Sequence, residues 1–469
     1  MITVQRSKLV YLAILSFGIN FGFIFQLSNL TALFKFLGIN DINLPLIWLI
    51  PPLTGLIIQP LVGQLSDMTF TPFGKRRPYI IFWSILAVFS FCLLPLFTTF
   101  LPILVITLLI DCSLNGSAET MRALTGDTFL REDDRTQAFA MQAIFASMGG
   151  FAGASLPFIL NWICNFLFPT LTLEVGQIPL HLKLAFLVAS FIIFSTVFIS
   201  MMHIKEKSSL PANTKIFRVS YQHVFRHLWY NLCNLPKPFK QIFLIHGLSW
   251  VGIFIFWLYF TLTLAQNIYG LPTASYAIAN IQSMQALKQA SLDSSIYFSI
   301  YQNVSILFAL WLLIFVKSNK LIIIHSLALL IGGMGIALVP FESHFLSLAV
   351  SAGALGVMWG SIIILPYVIV IRNIAKEKLG VYLGLFNISI TAPQIICGLL
   401  LSPLYTFIFQ GHAGYLLFVA GLIVVTSGCL WLLLAAREQK ILDFSNQNAT
   451  MDHQSEVIYN LELKNKTPK

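Results

Sequence analysis

Gly63-Gln64-Leu65-Ser66-Asp67, then after Met68 to Phe73 Gly74-Lys75-Arg76-Arg77-Pro78, forms a short charged loop between two apolar runs. An acidic turn followed by a basic triplet at the edge of apolar sequence is what a membrane surface holds in place. The runs on either side each suffice to cross a hydrocarbon core of about 30 Å. Asp67 can sit at the N-terminal end of a neighbouring helix, where the macrodipole favours an anion, while Lys75, Arg76 and Arg77 anchor the loop. Such contacts can break and reform, which makes the loop a candidate gate. The plainer reading is a positive cluster with a turn glycine.

Similar runs recur outward from this loop in both directions. Of the 469 residues 57% are hydrophobic and only 10% charged, and the mean hydropathy is +0.82. A soluble globule of that composition would lack polar surface, so the chain reads as an all-α polytopic membrane protein. Spans are expected at 9–34, 46–67, 78–97, 101–129, 137–167 and 182–203, and again at 239–269, 295–316, 320–341, 345–372, 379–408 and 413–436. The first is long and has no small-residue cleavage site, so it reads as a retained anchor helix and not a signal peptide. The expected organisation is a six-helix half over 1–203, a basic connector over 204–238, a second six-helix half over 239–436, and a polar, disordered tail over 437–469.

Basic residues crowd the loops of one face: Arg6 and Lys8, Lys75 to Arg77, Arg131 and Arg135, the connector, Lys317 and Lys320, Arg372 with Lys376 and Lys378, then Arg437 and Lys440. The opposite loops hold only Lys35, Lys183 and Lys288. The basic face is therefore expected to be cytoplasmic, with both termini on it, in the cell membrane. The net charge of +10 is accordingly a topology signal and not nucleic-acid affinity. Five of the six cysteines fall inside spans and Cys233 in the connector, so no disulfide framework is expected. The nine histidines lack metal-ligand spacing, and no nucleophile–base or metal constellation appears, so neither a metal, a cofactor nor an enzyme activity is expected.

The loop signature resembles that of the major facilitator superfamily, in the variant found in sucrose–proton symporter-like proteins of the glycoside-pentoside-hexuronide:cation symporter group. Phe25-Gln26-Leu27-Ser28, Ile47-Trp48, Gln59-Pro60, Asp111 through Asn115 to Arg122-Ala123-Leu124, Tyr259-Phe260-Thr261 with Ile268-Tyr269-Gly270, and Leu385-Phe386-Asn387 with Pro393-Gln394 carry the likeness further. It implies a major facilitator fold of about twelve helices in two halves, and a proton-coupled symporter of a sugar, a disaccharide or glycoside, acting as a monomer. One departure stands out. Plant members of the resembling family carry an acidic residue after the Phe-Thr pair, where this chain has Leu262, which puts substrate and coupling in question.

Asp111 is the residue that the bilayer makes expensive. An ionised carboxylate at the centre of a membrane helix costs about 2.5–3.5 kcal/mol on the mildest scale, and at 1.5 Å per residue from Leu101 it lies about 15 Å deep. Burial disfavours the ionised form, so Asp111 is the candidate proton site; a structural, hydrogen-bonded aspartate is the alternative. Asn115 and Arg122 lie within about 40° of it on the helical wheel. Glu119 is the natural partner of Arg122, because Asp111 and Arg122 are about 16 Å apart along the axis, which leaves Asp111 without an obvious helix-mate. No acidic residue is expected deep in the second half, since Asp293, Glu342 and Glu377 are read as loop residues. Arg122 either serves the gate with Asp127 or contacts substrate.

Sugars need flat apolar faces and neutral hydrogen-bonding groups. Trp250, Phe254, Trp257 and Thr261 form one stripe of the seventh span; Gly22, Gln26 and Asn29 share a face of the first; Asn387 and Gln394 share one of the eleventh. With Gln59, Asn115, Asn303, Trp359 and Tyr367 these are the candidate substrate-contacting residues; interhelical packing and hydrogen bonding is the alternative for each. Ser147, Gly150 and Ala154, and Gly353, Gly356 and Gly360, are assigned to close, moving interfaces. Export or facilitated passage of another small polar solute, and a non-transporting receptor with this fold, are the competing functions.

Overall fold

The computed structural model describes residues 2–67, 69, 71–129, 132–168, 177–206, 237–273, 281–315, 320–372 and 379–437. Most of the expected connector and nearly all of the expected tail lie outside the described residues. Among those described there is no strand, and twelve helices are long and apolar enough to cross a membrane. They are α1 (Ile2–Phe36), α2 (Ile50–Asp67), α3 (Arg77–Leu93), α4 (Phe100–Thr128), α5 (Glu132–Leu167) and α6 (Leu180–His203), followed by α7 (Lys237–Asn267), α8 (Ile281–Phe315), α9 (Leu321–Leu338), α10 (Phe345–Ile362), α11 (Leu379–Pro403) and α12 (Ala413–Arg437).

Burial is inverted relative to a soluble protein, as a hydrocarbon solvent requires. Phe191 and Phe198 are 69% and 53% exposed, whereas Asn29 and Asp111 are 0% and 2% exposed. Some prolines open helices, where a missing N–H does least harm, whereas Pro60, Pro157 and Pro393 stand inside α2, α5 and α11. Pro51 and Pro52 open α2. After Ile362, α10 breaks through a turn and resumes as Leu365–Arg372, with Pro366 in its first turn.

Within the first half α1 packs on α4, α5 and α6, α3 on α4 and α6, and α2 on α4. In the second, α7 packs on α8 and α11, and α10 on α8 and α9. Two seams join the halves, α5 against α8 and α2 against α11, while α1 also touches α7 and α8. Glycines set the closest approaches. A Cβ at Gly149 would stand 2.2 Å from the Phe17 carbonyl oxygen, one at Gly153 2.6 Å from that of Phe21, and one at Gly356 2.6 Å from that of Tyr301.

Two expectations are corrected here. Helix α8 begins at Ile281, not at 295, so Asp293 is a helix residue and not a loop residue. Hydropathy missed this stretch because its polar residues share one side; Met284, Leu287 and Ala290, spaced by three, are fully buried on the other. Gly353 has nothing within 4 Å of its Cβ position, so of the second glycine trio only Gly356 and Gly360 sit at a close helix contact.

Candidate functional site

The polar interior is built around α4. Asp111 receives a hydrogen bond on Oδ2 from Gln26 Nε2 of α1 at 2.7 Å, which supplies the partner that the sequence of α4 alone did not. Asn115, one turn on, donates to the Asp111 carbonyl oxygen at 2.9 Å and to Thr54 Oγ1 at 3.3 Å. Its own Oδ1 accepts from Gln59 Nε2 of α2 at 2.7 Å. Gln59 Oε1 in turn accepts from Asn387 Nδ2 of α11 at 3.2 Å. A row of neutral amides thus runs from α11 through α2 to α4, across the seam between the halves.

Among the described residues Asp111 makes no ion pair. A buried carboxylate held by one neutral donor can gain or lose a proton without stranding a cation, which an ion-paired one cannot. Two amide oxygens of α1, Gln26 Oε1 and Asn29 Oδ1, are buried and unpartnered. Asn29 spends its donors on Phe25 O at 2.8 Å and Ser28 Oγ at 2.9 Å, outside the amide row. Gln394 is buried on α11, whereas Asn303 is exposed on α8, on the stripe of exposed Leu307, Leu310 and Ile314.

The expected aromatic stripe of α7 divides. Trp250 and Trp257 meet each other at 6.0 Å between ring centroids and meet Trp359 of α10 at 5.9 and 5.5 Å, with Tyr301 of α8 at 6.3 Å from Trp359. Phe254 packs instead on Trp48 at 6.1 Å, and Thr261 accepts from Ser294 Oγ at 2.9 Å against α8. Two members of the cluster, Tyr301 and His246, were not read from the sequence. His246 accepts from Trp250 Nε1 at 2.9 Å and stacks on Phe386 at 4.7 Å, fixing the indole; its signal was the i, i+4 spacing to Trp250. Tyr367 packs edge-on against the same Phe386 at 5.2 Å.

At the basic face the charged residues form a staple within the first half. Arg76, 5% exposed, bonds Asp67, Ser66 and Asp127, the last at 3.0 Å, and Lys75 stands 3.3 Å from Asp127. Asp67 does not sit at a helix N-terminus, contrary to expectation. Glu206, just past α6, takes that position at the start of α3, accepting from the N–H groups of Lys75, Arg76 and Arg77 at 3.0, 2.9 and 3.1 Å. The macrodipole favours an anion there for the reason first argued for Asp67. Arg122 pairs with Glu119 at 2.8 Å and not with Asp127, because Arg76 and Lys75 already occupy Asp127.

The opposite face holds contacts that loop counting did not reveal. Lys35, read as a loop charge, ends α1 fully buried and is paired with buried Asp41. Tyr405, in the π-helical turn Leu404–Ile408 that follows α11, donates to Asp41 Oδ2 at 3.0 Å. Ser402 Oγ bonds Ile42 O at 2.7 Å, and Thr31 Oγ1 bonds Leu258 O of α7 at 3.0 Å. On this side the two halves are tied together.

The family profile for the Major Facilitator Superfamily matches residues 12–398. Sucrose transport protein SUT2 of Oryza sativa subsp. indica is 30% identical over 289 residues, 57% of this chain and 58% of that protein. Sucrose transport protein SUC4 of Arabidopsis thaliana is 27% identical over 287 residues, 57% and 56% of the two chains. The chain thus spans little more than half the length of these curated relatives. The crystal structure of a mutant of the nucleoside transporter NupG superposes with a TM-score of 0.66 at 13% identity, covering 91% of this chain and 99% of that one; at that identity the likeness concerns the fold alone.

Proposed function

The chain belongs to the Major Facilitator Superfamily, and from that premise we propose that it is a proton-coupled symporter of a sugar, a disaccharide or glycoside, working by alternating access. The observation that carries the reading is the pairing of Gln26 with Asp111 at 2.7 Å, next to an amide row that crosses between the halves. Protonation at Asp111 would alter what Gln26 can donate to, and Gln26 and Asn29 each hold a buried oxygen free to accept a hydroxyl. Trp250, Trp257 and Trp359 supply apolar ring faces for pyranose C–H surfaces. The sucrose transport proteins among the relatives favour a sugar over other small solutes.

The basic face is assigned to the cytoplasm by its lysines and arginines. Arg122 and Glu119 on that side are 46% and 29% exposed, whereas Lys35 and Asp41 on the other are buried. This contrast supports reading the conformation as closed outward. In this scheme the Arg76 staple keeps the first half rigid while it rocks, and Arg122 lines the inward path.

The test is the pH outside reconstituted vesicles on addition of mono- and disaccharides, with wild type and Asp111→Asn side by side. Proton uptake triggered by a sugar in wild type alone is expected, with Asp111→Asn retaining sugar exchange. Undiminished uphill accumulation by Asp111→Asn would overturn the proton assignment, and silence across the panel in folded protein would overturn the sugar.

A further inference from the structure

A second carboxylate site lies within the second half, on the face of Lys35. A cavity of about 250 Å³ opens between the end of α7, the outer part of α8 and the start of α10. Its polar lining includes Asp293, Tyr269 and Tyr297. The Tyr269 hydroxyl donates to Asp293 Oδ2, and Gln289 Nε2 reaches Oδ1 only at 3.4 Å. Burial pushes the Tyr269 phenol up, so it stays a donor and Asp293 the acceptor. Among the described residues neither Asp293 nor Glu342 makes an ion pair. Glu342 stands within electrostatic reach of Tyr297, is held by Ser351 Oγ at 2.6 Å, and keeps Oε2 unpartnered. Lys288, the sole cation of α8, instead interacts with Cys164 and His181 of the first half.

The independent sign of a ligand is Tyr297. Its side chain lines the cavity, the residue is 3% exposed, and its hydroxyl has no hydrogen-bond partner. A buried hydroxyl left unpaired costs about 1–3 kcal/mol, so it marks a place where something else can bond. Apart from Ser343, the remaining walls are apolar, among them Ile268, Ile300, Phe345 and Leu348. One carboxylate without an ion pair on the lining, a second within electrostatic reach of Tyr297, aromatic rings and hydrocarbon walls together select a positive charge borne on an apolar body. A bare metal ion would leave most of the cavity unfilled, and a sugar would leave the carboxylates uncompensated. The volume falls below the roughly 300–1,000 Å³ of pockets for drug-sized ligands, so the occupant is small.

We infer that this cavity binds a small organic cation, an ammonium group on an apolar body, with Asp293 facing the charge, the Tyr297 oxygen accepting an ammonium N–H, and Tyr269 and Phe345 flanking the body. The site is separate from the Asp111 network and does not depend on sugar transport.

The experiment is calorimetric titration of the full chain in lipid nanodiscs with phenethylammonium chloride, with sodium chloride and sucrose as comparators. Saturable phenethylammonium binding is expected in wild type, weakened about tenfold or more by Asp293→Asn, in line with loss of a charge-assisted hydrogen bond. Tyr297→Phe, which removes one oxygen and keeps the ring, is expected to weaken it by a smaller factor, and Asp111→Asn to leave it unchanged. Absence of saturable binding in wild type overturns the inference. So does binding insensitive to both Asp293→Asn and Tyr297→Phe in monodisperse protein, or sucrose or sodium binding that those variants abolish.

Discussion

At the scale of single residues, the side chains that matter most are those whose cost is not met within their own helix. Asp111 was legible in the sequence because hydrocarbon penalises a lone carboxylate deep in an apolar helix, so that such a residue persists mainly where it is used. Its partner was not, because Gln26 is 85 positions away and helical periodicity speaks only of neighbours on one helix. Replacing Gln26 by leucine should cost about 1–3 kcal/mol through the unpaired carboxylate; a matching fall in melting temperature, with loss of coupled uptake, is expected, and wild-type stability would show that Asp111 finds another donor. Arg76 tests a different point. Asp67 and Asp127 are 59% and 38% exposed, so each ion pair alone is worth little after screening. The fork that joins three side chains is what lysine cannot reproduce. Arg76→Lys should therefore destabilise the first half more than Asp67→Asn does, as thermal unfolding of the two variants would show.

At the scale of elements, helix contacts follow from where a Cβ has room. Close helix contacts within each half were legible as small-residue spacings, but which glycine of a pair touches backbone was not, since Gly149 and Gly150 are equivalent to a sequence pattern and differ only in their angle to α1. Gly153→Ala places a methyl 2.6 Å from the Phe21 carbonyl and must push α1 off α5, whereas Gly353→Ala meets open space and gains helix propensity of up to about 1 kcal/mol. Opposite shifts in melting temperature are expected. The start of α8 was hidden for a different reason: its polar residues share one side and its apolar residues the other, so their average along the sequence resembles a loop. The Glu206 position at the head of α3 was equally hidden, because a capping carboxylate 129 residues away leaves no local mark.

At the scale of the whole molecule, twelve spans and their basic face were readable because hydrophobic length and charge asymmetry are properties of each segment alone. How the halves meet was not, because that depends on pairs of residues from distant helices. On the face of Lys35, the Lys35–Asp41 pair lies wholly within the first half and can persist through a rocking motion, while Tyr405 reaches it from the second half and must let go. Hydrogen bonds to charged groups contribute about 1.5–3 kcal/mol, enough to shift a two-state equilibrium by a factor of about ten or more. Tyr405→Phe removes that bond, together with the long one from Gln266 Nε2 at 3.4 Å within the second half, and retains the ring packing on Tyr259, at 5.1 Å in the native protein. Spin labels at the ends of α1 and α11 on this face should then report a larger population at the longer separation. An unchanged distance distribution would place the closure in the Ser402–Ile42 and Thr31–Leu258 contacts instead, and Thr31→Val would become the variant that opens it.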